Sequence, residues 1–499
     1  MKKYKKEIII FIVVAIFIFS QIIGKEVSNL DEMWNFNFSN CIANGLLPYK
    51  DFNMITGPLV PFIGAVFLNI FGQEMLIIRI LAAILGSLIL VLVYRILDNL
   101  KIKDFFKIGL LILLCYIMKE HFTFDYNWGF LFLVLVLINF EIKNANISNQ
   151  KFSWKKELLI GIIAGLSITI KQTIGAVLIL ASVFYKILEI RKKDEIKEFF
   201  KIVGLRALGT FVVILSFFVI LLKFNILNDY TDYCILGVTT FSNKILYINE
   251  LIKNKNIIIK ILSLMPIPTH VYLGIMYIKN EFLKNLENAN KKKNNILLIL
   301  LIYSIVQMIV VYPISDAAHF VLAIVPTLIC VTYVINEIKI NIKVEKFIES
   351  FIKCFCLLFI VLCSILGIKD YKGKNINYEL KHFKYLPLSN QEIDNVKQID
   401  NYILSKVDKV YILDATAAYY MIPINRYNKN FDMFNNGNFG ARGEQGQIED
   451  LNNIKNKTIL IRNDRYQRNW QNPEKVRKYV INQMIKIDQI GIFDVYQDK

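Results

Sequence analysis

Long apolar blocks separated by short polar segments are the feature that most constrains how this chain folds. Soluble domains are also about half apolar, but their apolar residues occur in short periodic runs. Here they occur in blocks close to the roughly 20 residues that a helix needs to cross a bilayer. We therefore predict an all-α polytopic membrane protein with eleven transmembrane helices, formed by residues 8–23, 76–97, 105–119, 127–142, 157–170, 173–190, 203–222, 257–278, 295–311, 319–336 and 349–367.

The orientation of these helices follows from the basic residues. A further apolar run, residues 58–71, is short and carries two prolines, and we predict that it lies along the outer surface. Every strongly basic short loop then falls on the side of the N-terminus, as the positive-inside rule requires. If the run crossed the membrane, the later basic loops would face outward. The basic loops predicted to be cytoplasmic are residues 101–107, 143–156, 191–201, 284–293 and 339–346.

This orientation also explains the formal net charge of +18 without a nucleic-acid partner. The basic residues 1–6 followed by an apolar run resemble a signal peptide, but no small-residue cleavage site follows. We predict a retained first span with a cytoplasmic N-terminus, an extracytoplasmic C-terminus and membrane lipids as neighbours, in the cell membrane.

One pair of apolar blocks must be interrupted by a turn. A single helix over residues 157–190 would be about 50 Å long, whereas the hydrocarbon core is about 30 Å thick. Lys171 and Gln172 form the only polar break in this stretch. The chain is therefore predicted to turn there, at the outer side of the membrane.

The composition changes to that of a soluble domain from residue 369. Residues 409–413, 458–462 and 492–496 read as strands, and residues 390–403 and 473–485 have helical spacing of apolar side chains. We predict a transmembrane domain over 1–368, with a first outer loop at 25–75 that contains surface helices, and a small extracytoplasmic α/β domain over 369–499. Neither a GxGxxG motif nor a phosphate-binding loop is present.

The first outer loop carries the strongest candidate for catalysis. Asp31 and Glu32 are adjacent carboxylates at the start of a predicted helix, and Asp51 follows in a turn. Acidic residues are common in the first helical turn for purely structural reasons, and Asp is a common turn residue. An Asp at a helix start nevertheless has a defined direction, which a catalytic base needs. We treat Asp31, Glu32 and Asp51 as candidate site residues.

Other ionisable and aromatic residues are predicted on the same outer side. Lys171 is flanked by apolar helices, and an ionisable residue in such a position is a functional candidate. Arg79 could instead extend to the lipid headgroups, Asp125 and Tyr126 could belong to an interfacial aromatic belt, and Asp316 could be a helix cap. The remaining candidates for substrate binding are Arg79, Lys171, Asp125, Tyr126, Asp316 and His319.

The cysteines give little guidance. Five of the seven fall inside apolar runs, where Cys is a small packing residue. Cys41 and Cys234 lie in predicted outer loops and could form a disulfide, although their spacing does not require one. No CxxC motif or Cys/His metal cluster is present.

With these features, the chain resembles the C-type (GT-C) membrane glycosyltransferases, the group that includes protein O-mannosyltransferases, aminoarabinose transferases and bacterial relatives similar to glycosyltransferase family 39. The resemblance is carried by Leu30-Asp31-Glu32 after the first span, by Arg79 early in a later span, and by a set of similar segments. It extends over roughly the first 320 residues. The similar segments are residues 44–52, 57–59, 71–72, 161–175 and 312–319.

The resemblance implies a transferase that passes a hexosyl or pentosyl group from a polyprenyl-phosphate donor to an acceptor outside the membrane, with inversion. The acceptor would be an envelope glycan, lipid or protein, and Asp31 would be the general base. Several relatives carry a charged residue just before the proline that opens the surface helix, where this chain has Thr56 and Gly57. The sequence therefore does not identify which residue holds the donor phosphate.

The residue inventory is compatible with this chemistry. An inverting transfer needs a carboxylate near the acceptor hydroxyl and cations near the leaving phosphate, for which Arg79, Lys171 and His319 are candidates. A lipid donor also explains the absence of a nucleotide-binding motif. We predict no cofactor. Asp31 with Asp51 or Asp125 could bind a divalent metal, but the reaction does not require it.

Two other classes of function remain open on the sequence. A multi-pass transporter or lipid flippase of the cell envelope would use Lys171 and Asp316 as intramembrane charges. Such proteins often have inverted repeats and helices broken at mid-membrane, whereas the charges here cluster at the predicted outer ends. The third class is a non-catalytic subunit of an envelope assembly.

Overall fold

The structure is a computed structural model that describes residues 2–27, 30–146, 152–190, 195–240, 246–282, 288–337, 342–406, 409–428, 431–464 and 471–499. The α-helices are α1 (Lys2–Ile22), α2 (Leu30–Ala43), α3 (Leu59–Phe71), α4 (Met75–Asn99), α5 (Asp104–Met118), α6 (Tyr126–Ala145), α7 (Trp154–Leu166), α8 (Gln172–Glu189), α9 (Glu195–Lys223), α10 (Leu227–Tyr230), α11 (Ile257–Ser263), α12 (Pro266–Phe282), α13 (Asn288–Met308), α14 (Ala317–Ala323), α15 (Val325–Ile335), α16 (Ile342–Lys372), α17 (Asn390–Ser405), α18 (Ala417–Met421), α19 (Gly443–Asn452) and α20 (Glu474–Gln483). The strands are β1 (Lys409–Leu413), β2 (Lys457–Arg462), β3 (Ile485–Ile490) and β4 (Phe493–Gln497).

The chain divides into two compact units. The first unit contains Met1–Ile22, Ala82–Phe217 and Lys244–Gly367, and the second contains Ile23–Leu81, Phe218–Asn243 and Ile368–Lys499. The last segment of the second unit begins at Ile368, whereas the C-terminal domain was predicted over 369–499, and the division into a transmembrane and an extracytoplasmic domain stays a prediction. The sequence did not predict that the first loop and residues 218–243 belong to that same unit.

Each of the eleven apolar blocks predicted as spans is mainly helical. The block 157–170 is helical only to Leu166, and the blocks 257–278 and 319–336 are each divided between two helices. Among the described residues, seven helices are long and apolar enough to cross a membrane, or eight if α14 and α15, bent by 45°, form one span. The count of eleven is therefore not confirmed. The helices α5 and α7, with 15 and 13 residues, are shorter than a full crossing requires. The orientation of the termini stays a prediction.

The predicted turn between α7 and α8 is confirmed. The last residue of α7 is Leu166, and α8 begins at Gln172. The Ser167 hydroxyl lies 3.2 Å from the Gly175 carbonyl oxygen. A Cβ atom at Gly175 would come within 2.6 Å of the Ser167 carbonyl carbon, so a glycine allows the two segments to approach.

The first unit is a bundle of helices with α13 at its centre. Helix α13 packs against α6, α8, α12 and α15. Glycines bring α7 close to the part of α9 that lies in this unit: a Cβ atom at Gly161 would overlap the backbone of Arg206, and one at Gly209 would overlap the backbone of Leu158. Small residues at helix contacts are typical of packing in membranes.

The second unit contains the sheet, whose strand order is β1-β2-β4-β3. Strands β1 and β2 are parallel, and β4 is antiparallel to both β2 and β3. The predicted strands 409–413 and 458–462 are confirmed as β1 and β2, and the strand predicted over 492–496 is β4, shifted by one residue. The helix predicted over 390–403 is α17. The helix predicted over 473–485 is α20, which ends at Gln483, so that Ile485 belongs to β3 instead. The prediction missed β3 because it is an edge strand with five of six residues exposed, which lacks the pattern of a buried strand.

Candidate active site

The first candidate pair, Asp31 and Glu32, occupies the first turn of α2 in the second unit. Glu32 is 5% exposed and forms a two-pronged ion pair with Arg79, which is fully buried. Its Oε1 lies 2.9 Å from the arginine Nε, and its Oε2 lies 3.0 Å from a terminal nitrogen. Asp31 is partly exposed. The two adjacent carboxylates therefore have different environments.

Arg79 also binds the chain that leads into α2. Its two terminal nitrogens donate to the carbonyl oxygens of Ile23, Lys25 and Glu26 at 3.3, 2.7 and 3.2 Å. With the two bonds to Glu32, these contacts use all five N–H groups of the guanidinium. Arg79 thus fixes residues 23–26 against the first turn of α2. This geometry leaves no N–H group of Arg79 for the donor phosphate, for which Arg79 was one of three candidates in the sequence.

Helix α2 is buried over residues 32–41, although its sequence is polar. The Trp34 indole nitrogen donates to the Ala415 carbonyl oxygen at 3.0 Å. Ser39 lies against α3, where a Cβ atom at Gly64 would overlap its hydroxyl. A helix that is neither apolar nor solvated needs such specific partners. The position of Asp31 therefore depends on residues far away in the sequence.

Asp432 is a buried carboxylate in this unit that the sequence analysis did not single out. It is 2% exposed, and the Asn53 backbone nitrogen lies 3.4 Å from its Oδ2. Burial raises the pKa of Asp432 to about 7, although the hydrogen bond from the Asn53 backbone nitrogen partly opposes this change. Asn53 also accepts from the Met433 backbone nitrogen at 3.1 Å. The loop at 431–438 is thus bonded to the first loop of the chain.

We predict that Asp432 makes the stability of the protein depend on pH. Because its pKa is raised above the ordinary value of about 3.9, the folded state retains a proton that the unfolded state has lost. This proton contributes up to roughly 4 kcal/mol to the free energy of unfolding. The contribution is complete below about pH 4 and is lost as the pH rises towards 7. Between pH 5 and 8, the midpoint of thermal unfolding should fall less in Asp432→Asn than in the wild type.

The exposed Asp488 supplies the control for this experiment. The unfolding midpoint of Asp488→Asn should fall with pH as that of the wild type does. Asp400 will contribute to the slope of every variant, since burial raises the pKa of this carboxyl to about 7 as well. The comparison is therefore the difference between variants. Parallel curves for Asp432→Asn and the wild type would contradict the assignment.

Asp51 closes a turn in the first loop. Its Oδ2 accepts a hydrogen bond from the Leu47 backbone nitrogen at 2.8 Å. Tyr49, inside this turn, has a φ of 69°, and its hydroxyl donates to the Thr56 carbonyl oxygen at 2.8 Å. Asp51 therefore has the structural role that its sequence context also allowed.

In the first unit, the structure brings Lys171 to the residues beside Asp125. The Lys171 ammonium donates to the Asn127 side-chain oxygen at 2.9 Å and lies 5.3 Å from the centre of the Tyr126 ring. Asp125 caps α6, accepting from the backbone nitrogens of Asn127 and Trp128 at 2.7 and 3.1 Å. Asp125 is thus a structural cap, whereas Lys171 and Tyr126 form a cation–π pair at the end of the bundle.

Asp316 and His319 also come together, as their spacing predicts. Asp316 caps α14, and its Oδ1 lies 2.9 Å from the His319 backbone nitrogen and 2.8 Å from the His319 Nδ1. Burial alone would raise the pKa of Asp316, but the hydrogen bonds and charge of His319 lower it below its ordinary value. His319 is thereby oriented by a carboxylate.

The candidate metal ligands and the cysteine pair that could form a disulfide give a simpler result. In the described ranges, no group of three His, Cys, Asp or Glu residues is close enough to hold a metal ion. That transfer proceeds without a metal remains a prediction. Cys41 and Cys234 are both buried and are not joined by a disulfide.

One segment of the chain matches a known protein family. Residues 56–220 match the family model described as dolichyl-phosphate-mannose-protein mannosyltransferase. No curated protein sequence matches the chain.

The fold is similar to that of solved structures. ArnT from Cupriavidus metallidurans, bound to undecaprenyl phosphate, is 11% identical, with 98% of this chain and 97% of that chain covered and a TM-score of 0.56. Its apo state is 12% identical, with 99% and 98% covered and a TM-score of 0.55. The oligosaccharyltransferase AglB from Archaeoglobus fulgidus, in complex with an inhibitory peptide and a dolichol-phosphate, is 12% identical, with 92% and 70% covered and a TM-score of 0.50.

The resemblance inferred from segments within residues 30–319 is thus supported both by a sequence match over 56–220 and by a fold shared over nearly the whole chain. This chain has the fold of the C-type membrane glycosyltransferases.

Proposed function

We propose that this protein is an inverting glycosyltransferase that transfers a sugar from a polyprenyl-phosphate donor to an extracytoplasmic acceptor. The acceptor is an envelope glycan, lipid or protein. The shared fold and the sequence match over residues 56–220 support the class of enzyme. The undecaprenyl phosphate bound to ArnT and the dolichol-phosphate bound to AglB support the class of donor.

The observation that carries the proposal is the different environment of the two adjacent carboxylates. Glu32 is buried and paired with Arg79 at two positions. Asp31 precedes it on the same helical turn and is partly exposed. Asp31 is therefore the base, while Glu32 and Arg79 are positioning residues that hold the first turn of α2.

The reaction then needs one proton acceptor and one leaving group. The acceptor hydroxyl oxygen attacks the anomeric carbon, and the bond between that carbon and the donor phosphate oxygen breaks. The hydroxyl proton passes to the Asp31 carboxylate, and the polyprenyl phosphate leaves with both bonding electrons. Because the attack is direct, the configuration inverts and no covalent enzyme intermediate forms.

Two cations are suited to the charge that develops on the leaving phosphate. Lys171 is held by Asn127 and Tyr126, and His319 is oriented by Asp316. Fixed cations of this kind stabilise the developing charge electrostatically. We assign Lys171 and His319, instead of Arg79, as the phosphate-binding residues.

The purified protein in proteoliposomes provides the direct test of this function. Polyprenyl-phosphate-linked hexoses and pentoses are supplied with candidate acceptors, and nucleotide-linked sugars serve as the comparison. Release of polyprenyl phosphate only with the lipid-linked donors is the expected result. Movement of the lipid-linked sugar across the bilayer without any release would instead favour a flippase.

We predict that Lys171→Ala lowers kcat/KM for the lipid donor. A hydrogen bond to a charged group contributes about 1.5–3 kcal/mol, which corresponds to roughly 10- to 100-fold in rate. Lys171→Arg retains the charge and should recover part of the rate.

The control for Lys171 is Lys155→Ala, which changes an exposed lysine at the other end of α7 and should behave as the wild type. Wild-type kinetics in Lys171→Ala would remove Lys171 from the phosphate site and make His319→Ala the next variant to measure.

A further inference from the structure

A cavity of about 340 Å³ lies in the first unit, at the end of the bundle away from Lys171. Glu141 and Asn144 near the end of α6 line it, together with residues from α7, α8, α9 and α13. Helix α6 has 20 residues and is therefore about 30 Å long, with Asp125 capping its opposite end. The cavity is thus remote from Lys171 and Asp125, and the proposed glycosyl transfer does not use it.

The floor of the cavity is a buried network of charges. Arg206 is 1% exposed. Its Nε lies 2.6 Å from Glu157 Oε2, and one terminal nitrogen lies 2.8 Å from Glu141 Oε1. The Tyr185 hydroxyl donates to the other oxygen of Glu141. Two carboxylates therefore share one arginine, which leaves the floor with an excess of negative charge.

The described residues at the mouth of the cavity do not neutralise this charge. Lys186 is paired with Glu189 at 2.7 Å, and Glu198 adds a further carboxylate to the lining. With Glu141, Glu157 and Arg206 included, the described residues of the site supply four carboxylates and two cations, so their net charge is −2 when all are ionised. A ligand of this cavity should carry positive charge.

An unsatisfied polar group in the cavity lining indicates that the ligand also forms hydrogen bonds. The Asn295 side-chain oxygen lines the cavity and has no hydrogen-bond partner among the described residues. The Tyr303 hydroxyl, likewise without a partner among these residues, does not line the cavity, although the Tyr303 ring lies 6.3 Å from that of the lining residue Tyr185. Buried polar groups are normally satisfied, so the unsatisfied Asn295 oxygen points to a missing partner.

We propose that this cavity binds a primary ammonium group, carried by an aminophospholipid headgroup or by a free polyamine. An ammonium supplies three N–H donors and one positive charge, which match the unpaired Asn295 oxygen and the excess of carboxylates. A bare metal ion fits less well, because the described residues contain no cluster of three ligands. The volume of the cavity is at the lower end of the range for small-molecule binding sites and is larger than a single ion needs.

The test measures binding to the full-length protein in nanodiscs. In phosphatidylcholine nanodiscs, spermidine is titrated by calorimetry, with Mg²⁺ as the comparison cation. The second arm compares the thermal unfolding midpoint of the protein in nanodiscs that contain phosphatidylethanolamine with its midpoint in phosphatidylcholine nanodiscs. Phosphatidylcholine is the reference because its quaternary ammonium group has no N–H donor. Binding of spermidine in the first arm identifies a free amine as the ligand. Stabilisation in the second arm alone identifies the lipid headgroup.

Two variants and one control connect the result to the cavity. Glu198→Gln and Asn295→Ala should each weaken ammonium binding by roughly tenfold or more, as expected for a lost charge-assisted hydrogen bond. Glu120→Gln changes a carboxylate that is 76% exposed, beyond the opposite end of α6, and should leave binding unchanged. The proposal is overturned if neither arm responds, if Mg²⁺ binds as well as spermidine, or if both variants bind as the wild type does.

Discussion

Asp31→Asn should lower the rate of sugar transfer by about 10²- to 10⁴-fold, which is the usual contribution of a general base. The substitution keeps the shape of the side chain and removes only the ability to accept the proton of the acceptor hydroxyl. Folding should be affected little, because Asp31 lies within the first turn of α2. A charge there contributes only about 0.3–1 kcal/mol through the helix dipole.

The measurement is transfer from a polyprenyl-phosphate donor, with equal amounts of each variant in the membrane. Asp51→Asn is a matched control, because it removes a carboxylate from the same loop while an amide oxygen can still accept from Leu47. It should retain most of the activity. Full activity in Asp31→Asn would end the assignment of Asp31 as the base.

Arg79→Gln should destabilise the protein by about 3–5 kcal/mol, the typical cost of removing one partner from a buried ion pair. The substitution leaves the Glu32 carboxylate buried without its cation. It also removes the donors to the carbonyl oxygens of Ile23, Lys25 and Glu26. Activity should fall as a consequence, since the first turn of α2 then loses its fixed position.

A double-mutant cycle with Glu32→Gln tests whether Arg79 acts through Glu32. The double variant should lose clearly less free energy of unfolding than the sum of the losses of the two single variants, because it leaves no unpaired buried charge. The exposed pair Lys397 and Glu379 supplies the control, and Lys397→Gln should change the free energy of unfolding by less than about 1 kcal/mol. Additive costs in the Glu32 and Arg79 cycle would show that the pair is not coupled.

Local sequence features predicted the elements of this fold. The apolar blocks and the spacing of apolar residues gave the helices, the turn at Lys171 and three of the four strands. The polar residues Asp125 and Asp316 are helix caps, as their positions before apolar runs allowed. These features depend on residues within one or two turns of each other, so a single sequence contains them.

The roles of the candidate site residues required contacts between distant parts of the chain. Glu32 and Arg79 are 47 residues apart, and Asn53 and Asp432 are 379 residues apart. Asp31 and Glu32 look equivalent in the sequence, and only the buried arginine separates a proposed base from a positioning residue. The same is true of Glu141, Glu157 and Arg206, which the sequence placed inside or beside apolar blocks without a partner.

The sequence by itself therefore determined most of the helices and strands and which residues could carry chemistry. Tertiary structure alone decided that Glu32 forms the ion pair with Arg79 and that α2 contacts Ala415. It also decided where Asp432 is desolvated. The physical reason is that helix periodicity and capping depend on neighbouring residues, whereas burial and ion pairing depend on which distant side chains exclude water from a group.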